Sequence, residues 1–216
     1  MYVGITVQNI NHPNYSEKGH YLNVRWQDFA EASGFTLIPL TSVSLADQMI
    51  REKYIQAIIL SGGGNLSKDF YNKNILKENN NNIDLDREII EKRLIKYSLE
   101  INIPLIGICR GMQALAMYFG SQLSRVEKHV KTRHVLDYHC PVLEKNIIRE
   151  VNSYHDYGVM DADVPKGFKI NVKYLNTVEQ MFHDNQKMLG IMWHPEREDK
   201  FSNLDIELFR KFLGLK

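Results

Sequence analysis

The stretch Ile103-Pro104-Leu105-Ile106-Gly107-Ile108-Cys109-Arg110-Gly111-Met112-Gln113 constrains the fold of this 216-residue chain more than any other. Pro104 stops a preceding helical pattern, because proline has no backbone N–H to continue it. Leu105–Ile108 is then apolar at every position. A run that short, apolar on both sides, suits a strand covered on both faces of a parallel sheet. A helical pattern starts with no loop between, placing Met112, Leu115, Ala116 and Phe119 on one face and Gly120 at the end. A strand that turns directly into a helix around Gly-x-Cys-x-Gly demands a β-α unit.

The rest of the chain repeats that alternation. Residues 2–7 read as a strand, and a helix is expected from about Leu22, with Leu22, Trp26, Phe29 and Ala30 on one stripe and Gly34 after it. Thr36–Leu40 is the next strand, Leu45–Lys53 the next helix, and Ala57–Leu60 another fully apolar strand. Residues 65–86 are polar, carry the asparagine run 79–82, and read as a surface loop or active-site flap. Arg87–Ile101 predicts a helix burying Ile90, Leu94, Tyr97 and Ile101. Beyond 121 the pattern changes. His134–Tyr138, Lys169–Tyr174 and Gln180–His183 alternate like antiparallel strands, and Met188–Trp193 reads as one more strand. Ser202 and Asp205 predict a capping box for a last helix carrying Leu204, Leu208, Phe212 and Leu215. The expected architecture is one three-layer α/β domain over residues 1–216, with a central, mostly parallel sheet and a small antiparallel extension.

Composition narrows the function. With 27 Lys+Arg against 26 Asp+Glu the net charge is +1, which offers no global attraction to nucleic acid or anionic membrane. Two cysteines, Cys109 and Cys140, make neither a disulfide scaffold nor a zinc module. The N-terminus turns polar by Gln8, unlike a secretion signal, and no window approaches a membrane span. A cytoplasmic protein with reduced thiols is expected.

Three stretches carry chemistry. The first is the elbow at Cys109. A helix N-terminus beside a cysteine favours thiolate over thiol. The backbone N–H of Arg110 is placed to bind an oxyanion. The alternative is a buried structural cysteine between packing glycines. The second is Gly190-Ile191-Met192-Trp193-His194-Pro195-Glu196, where a strand ends at a histidine and a carboxylate follows two residues later. A thiol nucleophile needs a base and a third group that orients the base. The third is Leu60-Ser61-Gly62-Gly63-Gly64-Asn65, a buried strand meeting three glycines. Beside an elbow it is a source of a second oxyanion-hole N–H, assigned to Gly63.

Together these stretches resemble the class I glutamine amidotransferase-like superfamily, whose signature is Gly-x-Cys-x-Gly-x-Gln and then His-Pro-Glu. The resemblance covers nearly the whole chain and implies a flavodoxin-like sheet. The family's Arg-Asp-x-x-Glu helix lead-in is matched by Arg87-Glu88-Ile89-Ile90-Glu91, and its Val-Asn-Ser-x-His element by Val151-Asn152-Ser153-Tyr154-His155. The Cys-Arg-Gly form and that last element are most similar to the peptidase C26 branch of γ-glutamyl hydrolases. The resemblance implies Cys109 as nucleophile, His194 as general base and acid, and Glu196 as its orienter. It implies Gly63 and Arg110 as the oxyanion hole. It also implies that Gly62, Gln113 and the segment Asn152, Ser153, Tyr154 and His155 hold the glutamyl group. No metal and no redox cofactor is implied. Two departures stand out: Ser61 where the family often has proline, and Asp156-Tyr157 after His155. Cys140 matches no motif.

The expected reaction is hydrolysis of a γ-glutamyl amide through a glutamyl thioester on Cys109, releasing glutamate. Alternatives are a glutaminase subunit passing ammonia to a synthetase partner, a γ-glutamyl-polyamine or γ-glutamyl-aminobutyrate hydrolase, and a non-catalytic binding protein. The whole chain is also similar to bacterial hydrolases that remove glutamate from γ-glutamyl-CDP-amidate. That implies a small nucleotide-linked substrate and a cytidine diphosphoramidate product used in capsular polysaccharide modification. Two basic and aromatic segments, Asn11–Trp26 and Lys128–His134, offer Lys18, Arg25, Lys128 and Arg133 for such a leaving group. Solvated surface is the competing reading of both segments. No nucleic-acid or membrane partner is expected, and oligomeric state is not indicated.

Overall fold

The computed structural model describes residues 1–67, 70 and 82–215. In chain order the first half holds β1 (Tyr2–Thr6), β2 (Gln8–Asn11), β3 (Lys18–Tyr21), α1 (Arg25–Ser33), β4 (Thr36–Leu40), α2 (Val43–Arg51), β5 (Ala57–Leu60), α3 (Leu85–Ile101), β6 (Leu105–Ile108) and α4 (Arg110–Tyr118). The second half holds β7 (Ser124–Arg125), β8 (Val130–Cys140), β9 (Lys145–Tyr154), β10 (Tyr157–Gly158), β11 (Phe168–Tyr174), β12 (Thr177–His183), β13 (Met188–Ile191) and α5 (Asn203–Leu213).

Seven strands form the central sheet in the order β11-β12-β13-β6-β5-β1-β4. From β4 to β13 all neighbours are parallel, and β12 and β11 add an antiparallel edge. The expected mostly parallel sheet with an antiparallel extension is therefore present. Right-handed crossovers place the helices. The chain moves outward from β1 to β4 through α1, then back across β1 to β5 through α2, so the two helices lie on opposite faces. α3 continues in the second direction and packs with α2 and α4, while α5 packs with α1. The strands β5, β6 and β13 are buried at every residue, as covering on both faces requires. Among the described residues, no helix is long and apolar enough to cross a membrane.

Several boundaries differ from expectation. α1 starts at Arg25 rather than near Leu22, because Gln8–Tyr21 is occupied by the antiparallel hairpin β2–β3. Asn23 Oδ1 then accepts the Arg25 N–H at 3.0 Å. α3 buries Arg87, Glu88 and Glu91 alongside Ile90, Leu94, Ile95 and Ser98. Ile101, expected on the buried stripe, is 52% exposed. Ile90 and Leu94 are buried as expected, and charged side chains share the buried side of the helix because they are paired there, as described below. The capping box on α5 is half made: Ser202 Oγ accepts the Leu204 N–H, but Asp205 pairs with Arg149 and Trp193 instead. β8 and β9 form a separate long antiparallel hairpin, whose Leu136, Tyr138, Cys140, Ile147 and Val151 join the main core. Most of the expected 65–86 loop, residues 68, 69 and 71–81, lies outside the described residues.

Candidate active site

The carboxyl ends of β5, β6 and β13 lie side by side, where parallel α/β sheets bind ligands. β6 ends at Cys109. Its φ of 49° and ψ of −106° turn the chain from strand to helix within one residue. The turn is held from both sides: Cys109 N–H donates to Ile191 O at 2.8 Å, and Gln113 N–H donates to Cys109 O at 3.0 Å. The glycines around it are there for contact. A Cβ on Gly111 would stand 2.0 Å from Leu60 O, and one on Gly107 would stand 2.6 Å from the Gly111 carbonyl carbon. Only with both bare can α4 leave the sheet so close to β5 and β6. Arg110 opens α4, and N–H groups in a first turn have no intrahelical acceptor.

β13 delivers His194 three residues past its end. His194 Nδ1 lies 2.7 Å from Glu196 Oε1, and both side chains are buried. Pro195 and Glu196 form a tight 3-10 turn that brings the carboxylate back under the ring. With Nδ1 given to Glu196, Nε2 is left for Cys109. Burial works against the imidazolium, but the Glu196 charge, the Cys109 sulfur and hydrogen bonds to both raise the His194 pKa to about 9. The ring also presses on the glycine loop, where a Cβ at Gly62 would come within 2.4 Å of His194 Cε1. A thiol, an imidazole and a carboxylate in this order can activate a nucleophile and protonate a leaving group.

A buried ion network shapes the third wall. Arg87 Nε meets Glu91 Oε1 at 2.8 Å, and Arg110 Nη1 meets Glu91 Oε2 at 2.5 Å. Arg87 also donates to the carbonyls of Ser61, Gly62 and Gly63. Burial, set against the Glu91 charge, lowers its pKa to about 10, so it stays charged at neutral pH. Drawing the Gly62 carbonyl toward Arg87 turns the Gly63 N–H of the same planar peptide the opposite way. Gly63 itself has φ of 93° and lines the cavity that opens on Cys109.

That cavity is also lined by Gly64, Asn65, Asn82, Arg110, Gln113, Tyr154, His155, Asp156, Tyr157, His194 and Arg197. Among the residues expected to hold the glutamyl group, Gln113, Tyr154 and His155 face it. Gln113 Nε2 donates to Tyr157 O at 2.6 Å. Asn152, Ser153 and Gly62, also expected there, are not among the residues that line it. Asn152 accepts the His194 N–H through Oδ1 and donates to His194 O through Nδ2, both at 2.8 Å, so it holds the main chain of His194. Ser153 Oγ is buried and donates to His129 O.

None of the four expected leaving-group cations lines the cavity. Arg25 donates to the carbonyls of Glu198 and Asp199 and lies over Phe201. Arg133 is paired with Glu150 and Glu198. Lys18 is exposed on the β2–β3 hairpin and Lys128 on the turn before β8. Arg133 is neutralised by carboxylates and Arg25 is engaged by backbone carbonyls, in both cases through partners that composition does not reveal. Arg197 is the cation that sequence reasoning missed. It lines the cavity and lies 4.8 Å from the centre of the Tyr154 ring. Its adjacency to His-Pro-Glu was the available signal.

Comparison with known proteins agrees with this architecture. The Peptidase C26 family model matches residues 2–196. The chain is 34% identical over 211 residues to the γ-glutamyl-CDP-amidate hydrolase of Campylobacter jejuni subsp. jejuni serotype O:2, covering 95% of each protein. It is 26% identical to a glutamine-hydrolyzing GMP synthase subunit of Methanocaldococcus jannaschii, covering 79% of this chain and 80% of that one. A crystal structure described as a putative GMP synthase subunit from Thermoplasma acidophilum superposes with a TM-score of 0.68 at 18% identity, covering 100% of this chain and 94% of that one. A glutamine amidotransferase from Thermotoga maritima superposes with a TM-score of 0.61 at 16% identity, covering 99% and 84%. The fold is that of the class I glutamine amidotransferases, and the chain belongs to the Peptidase C26 family.

Proposed function

We propose that this chain is a cysteine hydrolase of γ-glutamyl amides, with Cys109, His194 and Glu196 as its catalytic triad. The observation that carries the reading is a strained Cys109 opening on a cavity beside a His194 fixed by Glu196 at 2.7 Å. The Cys109 sulfur attacks the γ-glutamyl carbonyl carbon. The N–H groups of Gly63 and Arg110 receive the developing oxyanion. His194 donates its Nε2 proton to the departing nitrogen as the C–N bond breaks, leaving a glutamyl thioester. A water then enters, gives a proton to His194 and adds to the thioester, releasing glutamate and the thiolate.

The substrate we infer is γ-glutamyl-CDP-amidate, giving glutamate and cytidine diphosphoramidate for capsular polysaccharide modification in the cytoplasm. Support comes from the Campylobacter relative, which matches at 34% identity across nearly all of both chains. The GMP synthase subunit from Methanocaldococcus matches at 26% over a smaller share, which favours a free-standing hydrolase over an ammonia-delivering subunit. Arg197 is the guanidinium at the cavity that we assign to a phosphorylated leaving group in place of Lys18, Arg25, Lys128 and Arg133, since Arg110 is held by Glu91.

The test is a substrate panel on the purified chain: γ-glutamyl-CDP-amidate, free glutamine, γ-glutamyl-putrescine and γ-glutamyl-aminobutyrate. The nucleotide amidate should have the highest kcat/KM, and Cys109→Ala should abolish its turnover while the fold is kept. Faster cleavage of the polyamine or aminobutyrate amide would overturn the substrate. Near-wild-type turnover by Cys109→Ala would overturn the mechanism.

A further inference from the structure

Behind the cavity wall, three histidines and a glutamate share one buried space. His129, His134, His155 and Glu179 are each at most 4% exposed. His129 Nδ1 lies 2.7 Å from Glu127 O, and His155 Nδ1 lies 2.9 Å from Tyr157 O. A carbonyl only accepts, so both Nδ1 atoms carry the proton. With the proton on Nδ1, the neutral form of either ring presents Nε2 as a lone pair and the charged form presents it as a second donor. Both Nε2 atoms face the same carboxylate oxygen, Glu179 Oε1, at 3.4 and 3.7 Å. Among the described residues, neither Nε2, neither Glu179 carboxylate oxygen and neither ring nitrogen of His134 has a hydrogen-bond partner of good geometry. A buried carboxylate facing two imidazole nitrogens is costly without a cation between them, which a proton or a metal ion can supply.

We propose that His129 Nε2, His155 Nε2 and the Glu179 carboxylate bind one zinc ion. The three donor atoms lie within 4.8 Å of one another. Ligands of tetrahedral zinc stand about 3.3–3.5 Å apart, given metal–ligand lengths of about 2.0–2.2 Å. The Nε2–Oε1 separation of 3.4 Å fits that spacing, and the one of 3.7 Å exceeds it by about 0.2 Å. The Nδ1–H bonds to backbone carbonyls are the outer contacts that fix the tautomer of a metal-bound histidine. A water is the fourth ligand, and the His134 ring, 4.5 Å from His129 centre to centre, offers it an acceptor.

The ion would act as a staple rather than a catalyst. His129 precedes β8, His155 follows β9 and Glu179 sits on β12 of the central sheet. Zinc therefore ties the long hairpin to the sheet. Through the His155–Tyr157 contact it also fixes the wall on which Gln113 rests.

The experiment uses chelator-treated full-length Cys109→Ser protein, so that the cavity thiol cannot compete, titrated with Co2+ and then Zn2+. One equivalent of Co2+ should be retained after desalting, with the visible bands of four-coordinate nitrogen and oxygen ligation and no sulfur charge-transfer band. Zn2+ should displace it and raise Tm. Glu179→Gln and His129→Asn should each lose retention by at least tenfold in affinity. No retained metal, a sulfur charge-transfer band, or unchanged retention in both variants would overturn the site. Should a variant not fold, X-ray absorption on the folded Cys109→Ser protein decides: two imidazoles among nitrogen and oxygen ligands support the site, and any other set overturns it.

Discussion

Cys109 keeps a φ of 49°, a conformation costing about 1–3 kcal/mol for a residue with a Cβ. The strain aims its sulfur out of the sheet, and replacing the side chain should release it. Cys109→Gly is expected to raise Tm by roughly 2–4 °C, for a net gain near 1 kcal/mol, while turnover disappears. A Tm equal to or below wild type by calorimetry would mean that the elbow stores no strain. His194 gives a second expectation at this scale. Its pKa is raised to about 9 from an unfolded value of 6.5. Its contribution to stability is therefore complete below pH 6.5 and is lost as pH rises through about 9. The proton needed by the leaving nitrogen is lost over the same range, so kcat/KM should fall along an alkaline limb near pH 9. That limb belongs to the coupled Cys109–His194 pair. Removing the favourable Glu196 charge lowers the His194 pKa, so Glu196→Gln should move the limb to lower pH. A limb that stays in place would remove Glu196 from the relay. Cys109, His194 and Glu196 were legible in sequence because elbow and turn are local. Arg197 was not, since its stacking partner Tyr154 comes from another element.

At the scale of elements, α3 shows where periodicity misleads. Its pattern suggested an apolar stripe ending at Ile101, yet the helix turns Arg87 and Glu91 inward. Glu91 is shared by Arg87 and Arg110, and Arg87 carries the carbonyls of residues 61–63. A rule that puts apolar residues inside cannot find this, because the partners come from β5 and α4. The family-like Arg87-x-x-x-Glu91 spacing did mark the pair, one helical turn apart, though not its task. Removing one member of a buried ion network costs about 3–5 kcal/mol, because the other is left uncompensated. Arg87→Met should therefore lower stability by that order in urea unfolding, and should reduce kcat more than KM by freeing the 61–64 loop. Arg87→Lys should recover less than half of the lost kcat, since one ammonium cannot serve Glu91 and three carbonyls together. Full recovery by lysine would show that charge alone suffices there. The β2–β3 and β8–β9 hairpins were missed or only half seen for a related reason. Apolar Ile148, Val135 and Ile10 stand on exposed positions, so the sequence does not alternate between apolar and polar residues even where burial does.

For the whole molecule, the question is what holds the β8–β9 hairpin against the parallel sheet, since among the described residues no strand of that sheet pairs with it. Side chains provide the link. Arg149 on β9 makes a two-pronged contact with Asp205 on α5, at 2.7 and 2.6 Å. The same carboxylate accepts the Trp193 Nε1 proton at 3.0 Å, one residue before His194. Asn152, three residues further along β9, grips both backbone groups of His194. Hairpin, last helix and β13 thus meet around the base, and the position of His194 depends on all three. Asp205→Ala leaves the Arg149 guanidinium, 8% exposed, without its carboxylate and the indole without an acceptor. A loss of about 3–5 kcal/mol is expected, a Tm lower by roughly 6–20 °C for a chain of this length. Because Asn152 still holds the histidine backbone, kcat measured well below the new Tm should fall less than tenfold. Asn152→Ala should show the reverse, a small Tm change of a few degrees with a larger loss of kcat. If both variants lowered Tm and kcat in the same proportion, hairpin anchoring and base positioning would be one cooperative unit rather than two separable contacts.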